Sequence, residues 1–164
     1  MKQILCFAGM LLLFSACKKM DCCSLQPSPF FMIAQKNGAS WRADTASASL
    51  NNDTITITGD IPDVFLNSGP WPETLRFKVK NNGPGTYRLP KNQVFYVTQF
   101  GPDAVPSFQL FTDTLYNNTL TITRFDQAGH VISGTFDLKF VNNYNPSNIG
   151  YISFSAGQFN EPLH

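Results

Sequence analysis

The chain has 164 residues, 43% of them hydrophobic and 14% charged, with a formal net charge of +1. This length suits a single domain with its own core, and the low charge excludes an intrinsically disordered chain. The balanced charge argues against a nucleic-acid-binding protein, because phosphate recognition needs a clustered excess of lysine and arginine.

Residues 1–16 have the features of a secretory signal peptide. A lysine precedes an apolar run over 4–14, and small residues, Ser15 and Ala16, follow before Cys17. The run is shorter than the roughly 20 residues that a transmembrane helix needs. The sequence therefore predicts secretion with cleavage before Cys17.

The segment Leu13-Phe14-Ser15-Ala16-Cys17 resembles the lipobox of bacterial lipoproteins. That pattern usually has leucine three places before the cysteine, where this chain has Phe14. The resemblance implies that Cys17 carries a diacylglycerol thioether and an acylated amine. Several acyl chains hold a domain firmly on a membrane, because each buried methylene adds about 0.8 kcal/mol of affinity. A plain secretory signal followed by an incidental cysteine is the alternative.

Residues 17–29 are predicted to form a lipidated tether that leads into one domain over 30–164. The tether has no apolar periodicity and contains Pro27 and Pro29. Cys22 and Cys23 also lie in the tether, and no cysteine follows them. The predicted domain therefore has no disulfide and no thiol nucleophile of its own.

From residue 30 onward, alternating and apolar segments predict about ten short strands separated by turns. The predicted strands span 30–35, 38–42, 46–50, 54–58, 75–80, 86–89, 94–99, 110–116, 119–125, 131–141 and 151–158. Asn37-Gly38 predicts a type I′ hairpin turn, because both residues tolerate positive φ. Because no segment has a helical period, we expect a single antiparallel β-sandwich that is mostly a meander. An up-and-down, lipocalin-like β-barrel is the alternative.

The alternation also predicts which side chains face the core. The predicted inward sets are Leu75, Phe77 and Val79; Phe136, Leu138 and Phe140; and Ile152, Phe154 and Ala156. On the first of these strands, Arg76, Lys78 and Lys80 alternate with the apolar residues. They predict a basic face in contact with solvent.

Several of these turns and strands resemble small Bacteroidetes lipoproteins of unknown function. The matching segments are N-G-A-S-W at 37–41, G-P-G-T-Y at 83–87, L-T-I-T at 120–123, I-S-G-T-F at 132–136, I-S at 152–153 and G-Q-F at 157–159. The resemblance covers most of 30–160 and implies an all-β fold and an envelope location. The family has no assigned activity, so it assigns no site residue to this chain.

Residues that could support catalysis or metal binding are few. His130 lies near Asp126 and Ser133, but no strained G-x-S-x-G nucleophile turn accompanies them. The chain has one other histidine, His164. Two histidines in a domain without cysteine are too few for a typical zinc site. The acids of 60–63 lack the spacing of a calcium loop. We therefore predict no catalytic residue, no metal and no cofactor.

Two long, proline-containing loops, over 61–72 and 100–108, carry aromatic candidates for ligand contact. These aromatics are Phe65, Trp71, Phe100 and Phe108. Aromatic faces beside amides suit sugars and other small ligands. Alternatively, these side chains fold back over the core. The usual burial of Trp and Phe favours this alternative.

These observations favour a membrane-anchored lipoprotein with a non-enzymatic binding domain, a protein or glycan partner and no nucleic acid. The alternatives are a hydrolase that attacks envelope polymers with Asp/Glu pairs and a purely structural envelope protein. The run Lys18-Lys19-Met20-Asp21 holds one acid. Surface lipoproteins of the resembled lineage carry an acidic run there, so the periplasmic face of the outer membrane is favoured over the cell surface.

Overall fold

A computed structural model describes residues 29–62, 72–98, 108–142 and 150–164, except for the side chains at 108 and 142. These residues form eleven strands and no helix. The strands are β1 (Phe31–Lys36), β2 (Ala39–Arg42), β3 (Thr45–Asn51), β4 (Thr54–Ile61), β5 (Glu73–Lys80), β6 (Gly85–Arg88), β7 (Val94–Thr98), β8 (Phe108–Thr112), β9 (Thr119–Asp126), β10 (Val131–Asn142) and β11 (Gly150–Pro162). Within these ranges, no helix is long and apolar enough to cross a membrane.

The strands form one antiparallel sheet that curls into a half-barrel. The pairing order is β2-β1-β11-β10-β8-β7-β5-β4-β3, with β9 beside β10 and β6 beside β9. The far strand β3 returns to the end of the chain, where Leu50 N donates to His164 O at 3.0 Å and His164 N donates to Ala48 O at 2.9 Å. The predicted all-β, antiparallel class is confirmed.

Two hairpins are closed by residues that tolerate the left-handed region of φ. Asn37 and Gly38 have φ values of 50° and 81°, which confirms the predicted turn between β1 and β2. Asn52 and Asp53 have φ values of 46° and 59° in the turn between β3 and β4. Asn and Asp adopt this conformation at a lower energetic cost than other non-glycine residues, because their short polar side chains can hydrogen-bond to the nearby backbone.

The core fills the inside of the curl and is rich in aromatic rings. Phe77 of β5 lies 5.2 Å from Phe136 of β10, measured between ring centroids. Tyr96 of β7 lies 5.2 Å from Phe154 of β11. Strands far apart in sequence are therefore joined through edge-to-face and tilted ring contacts, which add stability beyond the area that they bury.

The predicted inward position of Ala156 is wrong. Between Phe136 and Leu138 of β10 the register with β11 shifts, so that Phe136 pairs with Gly157 and Leu138 pairs with Phe154. Ala156 adopts a φ of 50° in this bulge and is exposed. The extra residue reverses the alternation of β11, which is why Gly157 and not Ala156 faces inward.

The predicted strand over 110–116 is also too long at its end, because β8 stops at Thr112. Asp113 ends the strand with its side chain, whose Oδ1 accepts a hydrogen bond from Leu115 N at 3.0 Å. Such a bond from an aspartate to the backbone two residues later competes with strand pairing and starts a turn.

The half-barrel has two distinct ends. At the loop end, β5 begins at Glu73 opposite Thr98 of β7, and Asn142 of β10 pairs with Gly150 of β11. The strands that flank the undescribed segments 63–71, 99–107 and 143–149 all meet at this end. At the opposite end, which we call the tether end, Asn160 Nδ2 donates to Pro29 O at 2.8 Å.

Candidate functional site

Most of the residues proposed from sequence as site residues lie outside the described part of the chain. They are Cys17, Phe65, Trp71 and Phe100. Phe108 is the first residue of β8 at the loop end, and its side chain is not described. Lipidation at Cys17 and ligand contact by these four aromatics therefore stay predictions.

A polar cluster lies just inside the loop end. Glu73 forms an ion pair with Lys36 and accepts a hydrogen bond from Trp41 Nε1 at 2.8 Å. Lys36 Nζ lies 5.2 Å from the ring centroid of Tyr96. Burial and the nearby Glu73 carboxylate raise the pKa of the Tyr96 hydroxyl above its ordinary value. The cluster joins β1, β2, β5 and β7 and holds their ends together.

The most distinctive surface is an exposed group of apolar side chains on the outer face of the sheet. Within the described residues, the exposed large hydrophobic side chains are Phe111 at 41%, Leu115 at 97%, Tyr116 at 38% and Tyr151 at 52%. We call these four residues the aromatic patch. Scattered exposed hydrophobics need no explanation, but a contiguous group on a folded domain marks an interaction site.

The sheet register and one lysine bring the three rings of the aromatic patch together. Val141 of β10 pairs with Phe111 of β8 on one side and with Tyr151 of β11 on the other. Lys139 Nζ lies 4.1 Å from the ring centroid of Tyr151 and 5.8 Å from that of Tyr116. The two tyrosines, although 35 residues apart in the chain, therefore share one cation.

A hydrogen-bonded loop over 113–118 holds Leu115 and Tyr116 in place. Asn118, which is 2% exposed, donates from Nδ2 to Asp113 O at 2.8 Å and to Tyr116 O at 3.3 Å. Its Oδ1 accepts from Lys139 N at 2.7 Å. The loop is thus braced against β10, so its exposed side chains are displayed in a fixed arrangement.

The charges around the aromatic patch balance. Lys91 Nζ lies 4.4 Å from the ring centroid of Phe111, and Lys139 Nζ lies 3.6 Å from Asp113 Oδ2. Tyr116 donates its hydroxyl to Asp137 Oδ1 at 2.5 Å, and this bond raises the pKa of the tyrosine. Two lysines and two aspartates therefore surround the rings and offer both donors and acceptors.

A shallow depression adjoins the aromatic patch through Asp137. It has a volume of about 270 Å³ and lies at the bulge between β10 and β11. Its polar lining comes from Thr119, Thr135, Asp137 and Gln158. Asp137 therefore connects this depression to Tyr116 of the aromatic patch.

A second concave surface, which we call the basic groove, crosses the outer face of β5, β7 and β8. Its volume is about 440 Å³, and it is lined by Thr74, Arg76, Lys78, Phe95, Val97 and Gln109. Arg76 and Lys78 are exposed, which confirms the basic face predicted for β5. The two surfaces share β8, which contributes Gln109 to the groove and Phe111 to the patch.

The residues considered for a serine triad make other contacts. Ser133 donates its hydroxyl to Asn160 Oδ1 at 2.5 Å, whereas Asp126 accepts from Gly129 N and from Arg124 Nη2, both at 2.7 Å. His130 lies in a turn with a φ of 52°. Within the described residues, no group of three or more His, Cys, Asp or Glu side chains is placed to hold a metal ion.

Sequence analysis did not single out the aromatic patch. The sequence predicts one strand over 110–116 that contains both Phe111 and Tyr116, and it assigns no role to Tyr151. The available signal was one aromatic ring at an outward position of each of β8 and β11, namely Phe111 and Tyr151, whereas the outward positions of β4 carry threonines. That signal identifies the side chains, but their proximity depends on the pairing of β8 and β11 with β10.

The fold and its surfaces define a small all-β half-barrel domain with an exposed aromatic patch and a basic groove on its outer face. The family model for a domain of unknown function, DUF6252, matches residues 28–161, and the chain belongs to this family. No curated protein and no solved structure matches the chain.

Proposed function

We propose that this protein is a lipid-anchored, non-enzymatic binding protein of the cell envelope whose half-barrel binds a glycan at the aromatic patch. The observation that carries the proposal is the exposure of the aromatic patch, in which Tyr116 and Tyr151 share Lys139 and in which Phe111 and Tyr151 flank Val141. Aromatic rings stack on the C–H face of a sugar, and the neighbouring carboxylates and hydroxyls bond its hydroxyl groups. A few polar groups around an apolar surface give a ligand its orientation.

The charge balance favours a sugar chain over a membrane surface as the occupant of the patch. An anionic bilayer attracts surfaces with an excess of lysine and arginine. Here Lys139 is paired with Asp113, and Asp137 accepts the Tyr116 hydroxyl. The negative aspartates would repel lipid phosphates, whereas they can accept hydrogen bonds from the hydroxyl groups of a neutral sugar.

Affinity electrophoresis tests glycan binding directly. The full chain with Cys17→Ser, which stays soluble because it lacks the acyl chains, is run through gels that contain dextran, laminarin, xylan or galactomannan. The proposal predicts retardation by at least one of these polymers. Phe111→Ala combined with Tyr151→Ala should abolish it, because both rings would leave the contact surface.

A matched control uses Phe31→Ala, which removes a half-buried ring from β1, away from the patch. This control should migrate as the parent does. Loss of retardation in the control as well, or no retardation by any polymer, would contradict glycan binding by the patch. The same polymers are assayed for new reducing ends; their release would instead support an envelope-polymer hydrolase.

The anchoring part of the proposal rests on the sequence around Cys17. Metabolic labelling with a radioactive fatty acid should mark the wild-type chain, and Cys17→Ser should remove both the label and sedimentation with membranes. A control, Cys22→Ser, should keep both. A Cys17→Ser chain that still sediments, beside a wild type without label, would contradict a lipid anchor.

We further propose the periplasmic face of the outer membrane as the location, because a single acid follows Cys17 within 18–21. Protease added to intact cells should leave the domain whole, and the same treatment after lysis should degrade it. Degradation in intact cells would place the domain on the cell surface.

A further inference from the structure

The basic groove combines three kinds of side chain in a fixed order across the sheet. Arg76 of β5 stands opposite Phe95 of β7, and Val97 of β7 stands opposite Gln109 of β8. The cation, the apolar wall and the amide therefore come from neighbouring strands. Because sheet register fixes these positions, the groove is formed before any ligand arrives.

Positive charge dominates the groove. Arg76 and Lys78 project from the same face of β5, and none of the described residues that line the groove carries a carboxylate. Within the described residues, neither cation forms an ion pair. The nearby acid Asp60 accepts a hydrogen bond from Thr74 Oγ1 at 2.6 Å, so part of its accepting capacity is used. Both cations are thus available to an anionic ligand.

We propose that the basic groove binds the acidic sugar units of a polysaccharide, an inference that rests on the proposed glycan-binding function. A sugar acid presents a carboxylate, a C–H face and hydroxyl groups. Arg76 and Lys78 would bind the carboxylate, and Phe95 would contact the C–H face. Thr74 and Gln109 would bond the hydroxyls. A phosphate group lacks a C–H face and would leave Phe95 and Val97 without a partner.

The length of the path favours a polymer over a single sugar. The groove begins on β5, and the aromatic patch ends on β11, four strand spacings away in the sheet order. At the usual separation of strands this path is roughly 19 Å along the sheet. A chain of several sugars can therefore contact the groove through its acidic units and the patch through its neutral units.

Paired polymers test this inference. Polygalacturonate, alginate and hyaluronan, each beside its carboxyl-reduced neutral form, are titrated into the full-length Cys17→Ser chain by isothermal calorimetry. At least one acidic polymer should bind ten times or more tightly than its reduced form. Arg76→Gln combined with Lys78→Gln should remove that preference, and added salt should weaken only the acidic form.

The matched control is Arg42→Gln combined with Arg88→Gln, which removes the same charge from exposed positions on β2 and β6. It should keep the preference. Equal losses in the two double variants would overturn the inference in favour of net charge, and tighter groove-dependent binding of polyphosphate would overturn it in favour of a phosphate ligand. Loss of acid preference alone leaves glycan binding at the patch standing, whereas failure of the neutral polymers too would remove the proposed function.

Discussion

Glu161 places a carboxyl group on the inner face of β11, opposite Ile132 of β10. The side chain is fully buried, and neither oxygen has a hydrogen-bond partner among the described residues. Burial raises its pKa from 4.5 to about 8, because the charged form loses its hydration without compensation. The group is therefore protonated in the folded chain at a pH where it is ionised in the unfolded chain.

This shift predicts that the folded state loses stability as the pH rises from about 4.5 to about 8. In that window the folded chain binds more protons than the unfolded chain, so the free energy of unfolding falls with pH. The slope should reach at most about 1.4 kcal/mol per pH unit. Glu161→Gln should flatten it, as measured by urea unfolding at a series of pH values.

The control for Glu161 is Asp53→Asn, an exposed acid in the turn between β3 and β4. It should leave the pH dependence of wild type in place. Parallel stability curves for wild type and Glu161→Gln over this window would show that the carboxyl group is not held neutral by the fold.

Gly134 lies where the sheet leaves no room for a larger side chain. A Cβ atom there would lie 2.0 Å from Thr121 O and 2.7 Å from Phe159 Cζ. The carbonyl belongs to the backbone of β9 and cannot rotate away, so Gly134→Ala should cost about 3 kcal/mol of stability. Chemical denaturation measures this cost, and the exposed neighbour substitution Thr135→Ala should change stability by less than about 0.5 kcal/mol.

At the scale of elements, the loop between β8 and β9 is held by the amide of Asn118. Asn118→Ala would leave Lys139 N without its acceptor and would remove the side-chain bonds to Asp113 O and Tyr116 O, which keep only a backbone donor each, at a cost of about 2–3 kcal/mol. We also expect weaker retardation in the polysaccharide gels, because Tyr116 would lose its fixed position without being changed itself.

The neighbouring Asn117 provides a matched control, since it is exposed and the substitution Asn117→Ala removes the same side chain. It should keep both stability and binding. If Asn118→Ala lowers stability without any change in binding, the hydrogen bonds of Asn118 do not position the aromatic patch.

The strands and tight turns were predictable because their signals are local. Alternating Ile and Thr in β4 and the Asn37-Gly38 turn need no knowledge of the rest of the chain. The bulge at Ala156 was not predictable, since it appears only when β11 is aligned with β10. The end of β8 at Thr112 was missed because an aspartate inside an apolar segment can equally face solvent from a strand.

The candidate site was less predictable than the fold for the same reason. The aromatic patch exists because β10 brings Phe111 and Tyr151 to opposite sides of Val141, although 40 residues separate them in the chain. The sequence alone does not specify which strands pair with β10, so it does not predict that Phe111 and Tyr151 lie close together. The basic face of β5 was predictable, since Arg76 and Lys78 alternate with buried residues on one strand.

At the scale of the whole molecule, Pro29 lies toward one end of the half-barrel, and the rings of Phe111 and Tyr151 lie toward the other. The chain enters the domain at the tether end, where Pro29 is bonded to Asn160. Phe111, Val141 and Tyr151 lie toward the loop end, close to the pair formed by Asn142 and Gly150. A lipid anchor before residue 29 would therefore leave the patch at a distance from the attachment point.

Glycan binding at the aromatic patch should be visible residue by residue in solution. Chemical-shift mapping tests it most directly: amide spectra of the isotope-labelled Cys17→Ser chain are recorded with maltohexaose, xylohexaose and laminarihexaose in turn. If the patch binds a glycan, at least one titration should give saturable shifts centred on Phe111, Tyr116, Lys139 and Tyr151. Absence of saturable shifts with every oligosaccharide, or shifts centred on strands far from β8, β10 and β11, would contradict it.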